Sequence, residues 1–160
     1  MKKKVLIVLP LAIVLITVAV FVFQQFSFVL KTKQEKAELY FDREEAQFVQ
    51  LVGFFADLNY NDAYIYNSKG QYYCGYTATI EDKTTLKAVK RLFEECDCKR
   101  ITKARDTVIF QMWTRLNDFE AGICYTPNNT PDIEFLTYVS PLSAEGWYYY
   151  EADYNVWRTR

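Results

Sequence analysis

The chain has 160 residues, with 20 acidic and 19 basic side chains, a formal net charge of −1 and no histidine. The missing imidazole excludes Ser-His-Asp and Cys-His catalysis and removes the commonest metal ligand. A balance without basic surplus lacks the electrostatic footprint of a nucleic-acid binder, so no nucleic-acid partner is expected.

Residues 1–4 form a short basic flank, and residues 5–30, VLIVLPLAIVLITVAVFVFQQFSFVL, carry no charge. A bilayer core takes about 20 apolar helical residues, so this run predicts a single transmembrane signal anchor. It is longer than the apolar region of a cleaved signal peptide. Lys2, Lys3 and Lys4 lie before the span and Lys31, Lys33 and Lys36 after it. The tighter N-terminal cluster predicts the amino end inside and the C-terminal domain outside the cytoplasm. Residues 31–160 hold all 20 acidic residues and 16 of the 19 basic ones, about −4 in all.

Residues 31–58 read as an amphipathic stalk helix, solvated at first and packed against the domain later. Phe41, Phe48 and Phe55 recur every seven residues, and Leu51, Val52 and Leu58 widen the stripe. Two heptads are too few for a coiled-coil seam.

From residue 59 the period changes. DAYIYN and QYYCGYTATI flank Ser-Lys-Gly, a hairpin signal. EDKTTLKAVKRLFEE follows as a second helix, with Asp82 or Thr84 as its cap and Leu86, Val89, Leu92 and Phe93 on one face. CKRITKA, TVIFQMWTRL, DFEAGICYT, IEFLTYVSPL, EGWYYYE and NVWRT are short strands between turn-rich pieces. In the second of these, Val108, Phe110, Met112 and Leu116 share one face and Ile109, Gln111, Trp113 and Arg115 the other. The expected fold is therefore α+β: anchor, stalk helix, then residues 59–160 as a β-β-α unit followed by a meander of five or six of these strands, β-β-α-β-β-β-β-β when five form. Its sheet is mostly antiparallel, with the helices on one face.

No phosphate-binding, zinc-protease or nucleophile-elbow motif occurs. No catalytic residue, cofactor or metal site is expected, and the absence of catalytic motifs argues against an enzyme. The four cysteines, Cys74, Cys96, Cys98 and Cys124, suggest disulfides in a small extracytoplasmic domain. Cys96 and Cys98 are too close to bridge easily, so each is expected to reach Cys74 or Cys124.

Aromatic residues make up 18% of the chain, which is enough to supply a surface as well as a core. In Trp-Tyr-Tyr-Tyr, Trp147 and Tyr149 point one way and Tyr148 and Tyr150 the other. The expected binding surface comprises Trp113, Trp147, Tyr149 and Trp157, because tyrosine and tryptophan are favoured in interfaces. The expected function is non-enzymatic binding, most simply of another protein, at the outer face of a membrane. The alternatives are a carboxylate-based enzyme acting on cell-wall sugars and an accessory or immunity-like subunit of a membrane complex.

Overall fold

The computed structural model describes residues 13–14, 16–18, 20, 31–58, 62–68, 71–75, 80, 82–115, 118–128 and 130–155. The chain divides into two compact units, Met1–Lys36 and Ala37–Arg160. In the first, Ile13, Val14, Ile16, Thr17, Val18 and Val20 are helical and exposed. The Thr17 hydroxyl donates to the Ile13 carbonyl at 2.9 Å. Most of the expected anchor lies outside the described residues. Among the described residues, no helix is long and apolar enough to cross a membrane.

Helix α1 spans Lys33–Ala56. It begins at its own cap, Thr32. Thr32 N–H donates to the Glu35 carboxylate at 2.7 Å, and Glu35 N–H donates to the Thr32 hydroxyl at 3.2 Å. This reciprocal pair is a capping box, which satisfies two of the amides that a helix start leaves without partners. Packing also begins earlier than expected. Ala37, Tyr40, Phe41, Glu44, Phe48, Leu51 and Phe55 are all buried, so α1 is a core element of the domain from its second turn.

Glu44 interrupts that apolar stripe and carries non-helical backbone angles, φ −121° and ψ 21°. With its amide turned to satisfy both of its groups, Gln47 donates to the Glu44 carbonyl at 3.1 Å. A side chain inserted into the helical ladder is a recognised cause of such a kink.

Strands β1 (Asp62–Ser68) and β2 (Gln71–Gly75) form the hairpin that the sequence predicts. Helix α2 (Lys83–Glu95) starts at Asp82, whose carboxylate accepts the Thr85 N–H at 2.7 Å. Val89 and Leu92 are fully buried, whereas Leu86 is exposed. Strands β3 (Arg100–Ala104), β4 (Thr107–Arg115), β5 (Phe119–Tyr125), β6 (Leu136–Pro141) and β7 (Trp147–Asp153) complete a seven-stranded antiparallel sheet in the order β2-β1-β3-β4-β5-β7-β6.

Both helices cover one face of the sheet. Phe48 meets Phe110 edge-on at 4.9 Å, Phe41 lies 4.8 Å from Trp147, and Phe93 of α2 meets Tyr72 of β2 at 5.3 Å. The β4–β5 register shifts between Gln111 and Trp113. One extra residue there reverses the alternation. Trp113 therefore pairs with Ala121, turns to the helix face and stacks on Tyr40 at 6.4 Å. Gly122 makes room at this point, because a Cβ on it would lie 2.0 Å from the Phe110 carbonyl oxygen.

Candidate functional site

Three of the four residues expected to form an aromatic surface lie on the face of the sheet that the helices cover. Trp147 and Tyr149 are buried, and Trp113 is half-buried. Trp147 packs among Phe41, Phe48, Phe110 and Tyr125. The expected docking role of Trp147 and Tyr149 is therefore corrected: their rings build the core. Trp157 lies outside the described residues. Burial, reinforced by the Glu151 carboxylate that its hydroxyl meets, raises the Tyr149 pKa.

The four cysteines are free thiols; Cys96, Cys98 and Cys124 are buried and Cys74 is half-buried. Cys74 and Cys124 lie four strand steps apart on opposite faces, about 19 Å at ordinary strand spacing. A disulfide needs Cα atoms about 4.4–6.8 Å apart. The Cys96 thiol lies 3.9 Å from the Arg43 guanidinium of α1, on the helix side of the sheet. Cys124 faces the opposite side, in a cluster with Tyr150 and Ala152. The sheet thus separates Cys96 from Cys124. Burial pushes Cys96 up to about 11 and raises Cys98 and Cys124 further.

On the face opposite α1 and α2, Glu120 gathers several polar groups. Its carboxylate accepts from the Gln111 amide, from the Tyr150 hydroxyl at 3.4 Å and from the Tyr154 hydroxyl. Burial first, then the Glu120 charge, raises both tyrosine pKa values. Glu120 and Tyr154 form the shared wall of two open clefts. One, about 460 Å³, is also lined by Asp62, Arg105, Asp132 and Glu134. The other, about 290 Å³, is also lined by Arg100, Gln111 and Thr114. A larger cavity of about 600 Å³ lies between the β1–β2 hairpin and α2. Its only carboxylate among the described lining residues, Glu94, stands 3.9 Å from Lys90.

The charge distribution singles out one end of the sheet. Residues 116–157 contain Asp118, Glu120, Asp132, Glu134, Glu145, Glu151 and Asp153 and no lysine or arginine. They build β5, β7 and β6, the last three strands of the sheet. Arg105, from the β3–β4 turn, reaches across to Asp132 at 2.8 Å.

The same end exposes the aromatic surface that the buried rings do not provide. Phe135, Tyr138 and Val139 are 40%, 46% and 38% exposed, Phe135 on the approach to β6 and the other two on opposite faces of that strand. Tyr138 rests on Tyr149 at 6.1 Å and Phe135 on Tyr154 at 5.3 Å. Sequence reasoning places a strand here but does not single it out as a surface, because Trp147 and Tyr149 dominate the pattern. The signal was nonetheless legible: forty-two residues without a basic side chain surround the uncharged strand Leu-Thr-Tyr-Val-Ser-Pro. The arrangement suits recognition of a positively charged partner with apolar side chains.

Comparison of the chain with protein-family models, with curated proteins and with solved structures finds no match.

Proposed function

We propose that this chain is a membrane-anchored, non-enzymatic binding domain that takes a protein partner outside the cytoplasm. Residues 5–30 hold it in the membrane as a single span. The uncharged length of that segment supports this part of the reading, as do the exposed apolar side chains on its described helical residues. The docking surface is the acidic end of the sheet. One observation carries that assignment: residues 116–157, the segment that builds β5, β6 and β7 with their connections, hold seven carboxylates and no cation, and the exposed Phe135, Tyr138 and Val139 lie within that segment. Complementary charge steers a basic partner to such a surface, and the aromatic side chains supply contact area.

The test is co-purification from cross-linked membranes. Glu134 and Glu145 are exposed, so reversing both to lysine is expected to leave the fold intact. The double reversal is expected to remove proteins recovered with the wild-type chain, whereas Lys87→Glu with Lys90→Glu on α2 keeps them. Equal recovery in both variants means that the acidic end is not the docking surface. Retention of the chain in membranes after alkaline extraction, and its release when residues 5–30 are deleted, tests the anchor separately.

One observation favours a second reading, a carboxylate enzyme acting on glycans. Asp62, Glu120, Asp132 and Glu134 line one cleft beside Tyr154. Release of reducing ends from cell-wall glycan by the purified chain, abolished by Glu120→Gln, would establish it.

A further inference from the structure

We propose that β6 accepts an extended segment of the partner protein as an eighth strand. The segment is about three residues of apolar or β-branched strand, flanked on both sides by lysine or arginine. This rests on the reading of the acidic end as the docking surface and adds the mode of binding.

Backbone parity sets the geometry. Leu142 N–H donates to the Trp147 carbonyl at 2.9 Å, so those two residues form a hydrogen-bonded pair. Such pairs alternate along an antiparallel ladder. Through the β6–β7 register, Ser140 and Tyr138 then direct their backbone groups toward β7. Val139 directs its N–H and C=O away from β7, to the side where the sheet has no further strand among the described residues. Pro141 has the same parity as Val139 and brings no N–H, as befits an edge position. The shift between Leu136 and Tyr138 places Thr137 in a bulge, where its hydroxyl donates to the Glu151 carbonyl at 3.1 Å. Room for ladder pairing is therefore a few residues centred on Val139.

Edge strands are usually guarded by charge. Leu136–Pro141 carries none, and it shows an apolar side chain on each face of the sheet: Tyr138 toward the helices and Val139 away from them. An added strand places side chains beside both. Main-chain bonds then supply affinity and the two flanking side chains supply selection.

Charge decides between a foreign strand and a second copy. Glu134 precedes the strand and Glu145 follows it, both exposed. Antiparallel pairing of β6 with β6 of another copy sets Glu134 of one chain near Glu145 of the other, like charge on like. A basic-flanked segment meets both carboxylates with opposite charge.

The experiment uses the full chain in phosphatidylcholine nanodiscs, whose neutral lipid does not attract a basic peptide. The probe is the fluorescent peptide Lys-Lys-Val-Thr-Val-Lys-Lys. Its controls are a copy N-methylated at the central amides and a copy with glutamate in place of lysine. The expected result is saturable binding of the lysine peptide and a loss of about tenfold or more for each control. Val139→Pro is expected to cost the same while leaving the thermal transition in place, because the Val139 N–H is not part of the β6–β7 ladder. Val139→Lys is the second variant, should proline disturb the strand. Two outcomes separate the proposal from the reading beneath it. Binding that falls with Glu134→Lys and Glu145→Lys but ignores Val139→Pro and N-methylation overturns strand addition and keeps the acidic surface. Binding indifferent to all of these changes, or absent at about 1 mM peptide, overturns both.

Discussion

The Glu44 carboxylate in the middle of α1 is held by the Arg91 guanidinium of α2. Arg91 Nη2 lies 3.1 Å from Oε1 and its Nε bonds to Oε2. Arg43 Nε adds a second cation at 3.1 Å. Glu44 is 1% exposed, so this acid in an otherwise apolar stripe is tolerated only because its oxygens are engaged.

Removing Arg91 leaves that acid buried with less compensation. Arg91→Leu is expected to lower the thermal midpoint by several degrees. The double variant Glu44→Leu with Arg91→Leu should recover most of the loss, because replacing a whole buried pair with apolar groups is far less costly than breaking it. A thermal melt of the three proteins checks this; a double variant worse than the single one refutes it.

Stability is expected to fall in alkali. Burial raises the Cys96 thiol from an ordinary value of 9.0 to about 11, so the folded state holds its proton where the unfolded state has lost it. The stabilisation is complete below about pH 9 and is lost as pH rises toward 11. Cys98 and Cys124 are raised in the same direction and extend the decline. Chemical denaturation at pH 8, 9, 10 and 10.5 measures the slope, and Cys124→Ala should make it shallower.

Two glycines should respond differently to alanine. At Gly122 the new Cβ meets a backbone oxygen at 2.0 Å, and the β4–β5 ladder must move. At Gly75 it meets the Tyr64 ring at 2.2 Å, and a ring at the end of a side chain can swing away. Gly122→Ala is expected to cost about 3 kcal/mol and Gly75→Ala about 1 kcal/mol, read from denaturant midpoints.

The aromatic residues divide the same way. Trp147→Ala opens the core beneath α1 and is expected to cost about 3–5 kcal/mol. Tyr138→Ser, at the exposed edge, should change stability by no more than about 0.5 kcal/mol and yet weaken partner binding. A melt and a binding titration on both variants separate the core role from the surface role. The assignment of Tyr138 to the surface fails if its loss collapses the fold.

Element order was legible because it rests on local signals. The Ser-Lys-Gly signal, the Asp82 cap and the change of period all act within a few residues, and the paired strands β1 and β2, the cap and the later strands appear where the pattern places them. Trp113 was misread because a bulge depends on the partner strand, which strict alternation cannot register. Glu44 hid the early packing of α1, since its partner Arg91 lies 47 positions away. Trp147 and Tyr149 were correctly set on one face, but a period of two does not say which face is covered. Both faces of β7 are in fact shielded: Tyr150 and Ala152 are as deeply buried as Trp147, in a cluster with Ile109, Ile133 and Leu136. The uncharged edge at β6 needed the strand order, which no local signal reveals.

The box formed by Thr32 and Glu35 gives α1 a beginning of its own, independent of any residue before Thr32. A protease cutting between Leu30 and Lys31 would therefore shed a fragment whose first helix keeps both its cap and its whole apolar face. On the proposed reading, release from a membrane and loss of the fold are then separable events, and a shed domain retains the β6 edge proposed to bind the partner.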